Sequence, residues 1–207
     1  MKIEAFKKSY SGRQVLDFPG VELEKGRVYA IIGANGSGKS TFARIVSGIE
    51  KPDGGALPTD GMKTGYLPQK SYAFRMRVLN NLLLNGRDET GAKELLEKMG
   101  IEHLAEANAS RLSGGETARM ALCRLMMRTY DAVILDEPCA AMDMESTLLA
   151  EKLISEYCRE KSCAVVIITH SIQQARRIAD EILFFSNGCL LPLSSPEGEA
   201  FLEFYGV

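Results

Sequence analysis

Gly33-Ala34-Asn35-Gly36-Ser37-Gly38-Lys39-Ser40-Thr41 decides how this chain is read. It fits G-x-x-x-x-G-K-[ST], with Gly33, Gly38, Lys39 and Ser40 in the fixed places. The apolar run before it, Val28-Tyr29-Ala30-Ile31-Ile32, reads as a buried strand. Behind it, Phe42-Ala43-Arg44-Ile45-Val46-Ser47 reads as a helix stopped by Gly48. Strand, glycine loop and helix in that order make a cradle for a triphosphate. Gly33, Gly36 and Gly38 let backbone N–H groups approach phosphate with no side chain in the way. The helix N-terminus adds partial positive charge and free N–H groups. Lys39 can set its ammonium on the β- and γ-phosphates, and the Ser40 hydroxyl is a hard oxygen ligand suited to Mg²⁺. Asn35, Ser37 and Thr41 complete the nucleotide-binding loop.

Outward from this loop the pattern alternates between strands and helices. The segment up to Ile32 reads as short strands with turns at Ser11-Gly12-Arg13 and Glu24-Lys25-Gly26. After Gly48 comes a loop dense in Pro, Asp and Gly, from Lys51 to Gly55, and then a short strand over Lys63–Leu67. The pattern is helical from Val78 to Met127, with Val78, Leu82, Leu95, Leu96, Met99 and Leu104 as apolar positions. Ala132–Leu135 and Cys163–Ile168 read as buried strands, and Ile182–Phe185 as a late one before the turn Asn187-Gly188. Thr147–Glu160 and Ile172–Ala179 read as helices. This order predicts an α/β fold with a sheet covered on both faces and ligands at the carboxyl ends of its strands.

The strand ends carry the second half of the site. Asp136 follows four apolar residues, as the metal-associated acid of a phosphate-loop protein does. Glu137 is next to it, and two adjacent acids repel unless a cation or a chemical task offsets the repulsion. Asp136 is therefore assigned to the metal and Glu137 to the attacking water. His170 also ends a strand and is a candidate contact to the γ-phosphate. Ser113, Gly114, Gly115 and Glu116 precede a helical stretch and form a second anion-binding helix start. One nucleotide seldom needs both helix starts from the same subunit.

With 207 residues, one domain is expected, spanning 1–207, with a helical subdomain over about 70–127. The chain is 45% hydrophobic and 25% charged, ordinary for a globular protein. A formal net charge of −2 without basic runs gives no electrostatic case for nucleic acid. The first residues lack the apolar stretch of a signal peptide, and no apolar run approaches the ~18 residues that span a bilayer. Any membrane-spanning part is expected from another chain. The five cysteines are odd in number and lack C-x-x-C spacing, which argues against a disulfide framework or a zinc site.

The ordered motif set resembles the ATP-binding subunits of ABC transporters over roughly residues 3 to 190. It runs from the phosphate loop through Gln69 in Gly65-Tyr66-Leu67-Pro68-Gln69 and the signature Leu112–Glu116 to Asp136-Glu137, Asp143 and His170. The resemblance implies an ABC ATPase fold: a P-loop core, an N-terminal antiparallel β-subdomain and a compact helical subdomain. It implies ATP and Mg²⁺ as cofactors, with Ser40, Gln69 and Asp136 at the metal and Lys39, Gln69, Glu137 and His170 in catalysis. It implies a head-to-tail dimer in which Ser113, Gly114, Gly115 and Glu116 of one subunit close on the ATP of the other. Asp143 would bridge the subunits, and Tyr10 would stack on adenine. A membrane permease would dock near Tyr72, Phe74 and Met76, holding the chain on the cytoplasmic face of the membrane. An extracytoplasmic substrate-binding protein is a further implied partner. Glu116, Ala140 and Tyr130 depart from frequent family residues without touching a catalytic role.

The competing reading is a soluble ABC ATPase acting on DNA or ribosomes, or a nucleotide-dependent regulator. DNA-repair members carry long coiled coils, for which Lys39–Ser113 has no room and no heptad run. Translation factors usually hold two such domains in one chain, and a pure regulator is disfavoured by Glu137. The run from Thr169 to Asp180 is similar to importers of oxyanions such as tungstate or phosphate. The short chain after Gly188 leaves no room for an added regulatory domain.

Overall fold

The structure, a computed structural model, describes residues 1–204; the last three residues of the expected 1–207 domain lie outside the described residues. Two small antiparallel pairs open the chain. One joins β1 (Lys2–Ile3) to β4 (Val21–Glu22), and the other joins β2 (Phe6–Tyr10) to β3 (Arg13–Phe18). β5 (Val28–Ile32) leads through the glycine loop into α1 (Lys39–Val46). β6 (Thr64–Leu67) follows, then α2 (Val78–Leu83), α3 (Glu89–Lys98) and α4 (Gly114–Met126). β7 (Ala132–Asp136), α5 (Met144–Lys161), β8 (Ala164–Ile168), α6 (Ile172–Ile178) and β9 (Glu181–Ser186) alternate. β10 (Cys189–Pro192) and α7 (Pro196–Phe204) close the described chain.

The main sheet has the order β10-β9-β5-β8-β7-β6, parallel except for β10, which runs antiparallel to β9. The phosphate-loop strand β5 lies between β8 and β9, so the loop leaves from the middle of the sheet. Successive strand residues point to opposite faces. Val133, Leu135, Val165 and Ile167 join the core under α2–α5, whereas Ala132, Ile134, Val166 and Ile168 join the core with α1 and the N-terminal strands. Burial on both faces is why these strands read as unbroken apolar runs. Phe42 on α1 is fully buried, with ring centroids 5.0 Å from Phe18, 5.6 Å from Phe185 and 6.2 Å from Phe6. It ties the helix to β2, β3 and β9 at once.

Most element bounds lie within a residue or two of the expected ones, and the larger differences have local causes. The single helical stretch over 78–127 is three helices and two 3-10 turns, interrupted near Gly86 and at Gly100, whose φ of 66° ends the α3 segment. α5 starts at Met144 rather than Thr147 because the Asp143 side chain caps it, accepting from the Ser146 N–H at 2.7 Å. β10 and α7 lie beyond the turn at which the sequence reading stopped. Tyr130, the residue unusual for its position, lays its ring over Gly65, where an added Cβ would stand 3.0 Å from the ring carbons. Removing the ring at the hub, Phe42→Ala, should cost about 3–5 kcal/mol of unfolding free energy. Urea titration followed by circular dichroism checks this.

Candidate functional site

One cavity of about 480 Å³ lies at the carboxyl ends of β5, β7 and β8. Its walls carry Gly36, Gly38, Lys39, Ser40 and Thr41 from the loop and α1, together with Gln69, Asp136, Glu137 and His170. With Asn35, eight candidate polar residues from four separate stretches of sequence thus converge. Gly33 must be glycine for packing reasons: a Cβ there would stand 2.4 Å from the Phe185 carbonyl oxygen. Gly38 caps α1 with a φ of 104°, and a Cβ would stand 2.8 Å from the Leu16 side chain. The loop therefore runs flush against β9 and β3, leaving its other side and the first N–H groups of α1 to a ligand.

Lys39 is buried, with Nζ donating to the carbonyls of Gly33 at 2.8 Å and Ala34 at 2.7 Å and approaching Ser37 Oγ at 3.4 Å. Burial lowers its pKa, against the pull of Glu137 and Asp136. Asp136 is the last residue of β7 and is 3% exposed; the Tyr66 hydroxyl makes a long 3.5 Å contact to its Oδ2. Glu137 has a φ of 50°, a strained backbone for a bulky residue and one that turns its side chain out of the strand into the cavity wall. Burial, then the neighbouring Asp136 charge, push the Glu137 carboxyl up to about 7, against the Lys39 ammonium. His170 Nε2 stands 3.0 Å from Glu137 Oε1, yet the direction is not that of a hydrogen bond, and this buried oxygen has no hydrogen-bond partner. Burial, then Lys39, lower the His170 pKa, against the pull of Asp136.

These residues fit a hard divalent cation. Two adjacent acids, Asp136 buried and Glu137 partly buried with one unsatisfied oxygen, call for positive charge, and a hydroxyl and an amide stand on the same wall. Among the described residues no group of three His, Cys, Asp or Glu side chains is arranged to hold a metal. Ser40, Gln69 and Asp136 are thus a partial donor set, which phosphate oxygens would complete.

Ser113, Gly114, Gly115, Glu116, Asp143 and Tyr10 do not line this cavity. Ser113 and Glu116 form a reciprocal capping box on α4, with the Ser113 N–H donating to Glu116 at 2.7 Å and the Glu116 N–H to Ser113 Oγ at 3.3 Å. Gly115 packs on the loop before Asp143, where a Cβ would stand 2.9 Å from the Ala141 carbonyl oxygen. These two helix starts are therefore neighbours of each other. Tyr10 is 41% exposed at the end of β2, its hydroxyl donating to Glu50. Val15 and Ile168 also line the cavity, and sequence patterns alone did not single them out. Arg44, which lies outside every phosphate-binding motif, reaches the wall through Nη2, donating to Thr41 Oγ1 at 3.3 Å.

A family profile described as ABC transporter matches residues 17–140. The tungstate uptake system ATP-binding protein TupC of Peptoclostridium acidaminophilum is 37% identical over 201 residues, covering 90% of this chain and 94% of its own. The zinc import ATP-binding protein ZnuC of Vibrio parahaemolyticus is 34% identical over 179 residues, covering 84% and 68%. Among solved structures, one titled RNase-L Inhibitor superposes with a TM-score of 0.84 at 28% identity, covering 99% of this chain and 42% of its own.

One acid, Glu50 behind the end of α1, sets a pH response. Burial works against the Glu50 carboxylate, but hydrogen bonds from Tyr10, Lys8 and Arg44 outweigh it and hold the carboxyl down at about 2. A folded value below the ordinary 4.5 contributes stability that is present above about pH 4.5 and lost as pH falls towards about 2. Glu50→Gln should therefore flatten the decline in urea midpoint between about pH 5 and pH 3. An unchanged decline would show that Glu50 is not part of that response.

Proposed function

This chain belongs to the ABC transporter family as an ATP-binding, ATP-hydrolysing subunit, and from that premise we propose that two copies close head-to-tail around two MgATP to drive a membrane permease. The observation that carries the reading is the split of the anion-binding features. Lys39, Ser40, Gln69, Asp136, Glu137 and His170 share one cavity, whereas the α4 start at Ser113–Glu116 lies off its walls, packed beside the Asp143 loop. A second helix start with no role in its own cavity is suited to the ATP of another copy.

Within one copy, Lys39 and the first N–H groups of α1 bind the phosphates, with Gly33, Asn35, Gly36, Ser37, Gly38 and Thr41 forming the cradle. Ser40, Asp136 and Gln69 would hold Mg²⁺, whose chemistry there is charge neutralisation at the transferring phosphoryl group. Glu137 orients the attacking water and takes its proton, a role that a carboxyl with a pKa near neutrality suits. His170 stands at the γ-phosphate end beside Glu137. Tyr10 stacks on adenine, and Asp143 spans the two copies.

Among the described residues no helix is long and apolar enough to cross a membrane. In this reading a permease supplied by another chain is contacted near the exposed Tyr72 and Phe74 after Gln69, with the helical subdomain over about 70–127 as its platform. The tungstate-uptake relative supports import of a small oxyanion, which an extracytoplasmic binding protein would deliver. The chain would sit on the cytoplasmic face of the membrane through that permease.

Lys39→Ala should abolish nucleotide binding or turnover in a phosphate-release assay; near-parental ATPase activity would sink the assignment. Glu137→Gln should keep ATP binding, lose turnover by at least about 100-fold and accumulate a dimer with ATP on size-exclusion chromatography. A monomer that hydrolyses ATP at the parental rate would remove Glu137 from the water-activating role.

A further inference from the structure

The Tyr10 end of β2 is built into a charged cluster that lies outside the phosphate-binding motifs. Oε1 of Glu50 accepts a hydrogen bond from the Tyr10 hydroxyl and stands 3.0 Å from Lys8 Nζ. Oε2 of the same carboxylate is 3.1 Å from Arg44 Nε. Lys8 Nζ also donates to the Lys51 carbonyl at 2.7 Å and lies 5.1 Å from the centroid of the Tyr10 ring. Arg44 Nη2 donates to Thr41 Oγ1 at 3.3 Å, and Thr41 is on the cavity wall. The Glu50 N–H itself donates to the Arg44 carbonyl at 3.1 Å, closing the end of α1. One carboxylate thus divides its two oxygens between β2 and α1.

Ion pairs on open surface contribute little, because ordering two long side chains offsets the gain. This cluster differs: the Lys8 and Glu50 side chains keep only 15% and 22% of their exposure, and three donors share one acceptor group. A half-exposed tyrosine at a strand end would otherwise be free to rotate. Here its hydroxyl is bonded and a cation lies against its ring. A ring held before the ligand arrives loses less entropy when the ligand binds.

We propose that Glu50 is the positioning residue for nucleoside recognition: its two carboxylate oxygens lock the Tyr10 ring to Arg44 in the last turn of α1, so that base and phosphates meet one rigid unit. This rests on the reading of Tyr10 as the adenine-stacking residue. Lys8 and Arg44 act through Glu50, and Arg44 extends the lock to Thr41.

The test is isothermal titration calorimetry of the full chain in Mg²⁺, with ATP and, separately, inorganic tripolyphosphate, which has no base to stack. Tyr10→Ala should weaken ATP about fivefold and leave tripolyphosphate unchanged, the value of one aromatic stack. Glu50→Ala should weaken ATP two- to fivefold with tripolyphosphate unchanged, and should add nothing in the Tyr10→Ala background. Tyr10→Phe, which removes only the hydroxyl, should reproduce part of that loss, and it decides the matter if Glu50→Ala does not fold. Equal weakening of both ligands by Glu50→Ala, or the same loss with Tyr10 already gone, overturns the proposal. So does ATP affinity that Glu50→Ala leaves intact while Tyr10→Ala lowers it. ATP affinity unmoved by Tyr10→Ala overturns the stacking reading itself and this proposal with it.

Discussion

Everything in this molecule that handles phosphate depends on how closely the glycine loop lies against the strands behind it. At Gly33 a single added carbon would meet the Phe185 carbonyl, and at Gly38 it would meet Leu16. These are contacts within the protein, not with a ligand. They press the loop flat onto β9 and β3, and so aim its other side, the α1 start and Lys39 into the open cavity. Phe42, one turn further along α1, then locks that orientation through three aromatic neighbours. The loop's back is packed, and its front is left bare for a ligand.

The acid pair makes the opposite demand. Asp136 and Glu137 are adjacent, largely buried and negative, and Glu137 is held in a left-handed backbone conformation with one oxygen unsatisfied. Such an arrangement is costly unless a cation and substrate offset it. Lys39 supplies part of the balance, as its opposing effects on the pKa of Glu137 show. Helix dipole, ammonium and carboxylates are thereby brought to one wall by elements far apart in sequence, which is what a central parallel sheet with both faces covered does well.

Much of this was legible in the residues. The strand–loop–helix order around Gly33–Thr41, the buried runs ending in Asp136 and His170, and the helix start at Ser113 all appear where periodicity and capping rules put them. What escaped was short or long-range. β10 is three half-buried residues and an exposed proline, too brief for an alternation signal. α5 starts three residues before its apolar periodicity, because Asp143 caps it through the Ser146 N–H. Glu50 carried no signal, since its three partners come from β2 and α1, and only folding sets them around one carboxylate.

The linear sequence by itself determined the chemistry: a phosphate-binding turn, a metal-suited acid, a neighbouring base and a second helix start, each encoded within a few residues by glycine, capping and strand patterns. The tertiary structure decided which of these share a cavity, that Glu137 is strained and partly buried beside His170, and that Tyr10 is held by Glu50. Those facts depend on distances between segments many residues apart. Such distances are set by packing across the sheet, which local patterns do not contain.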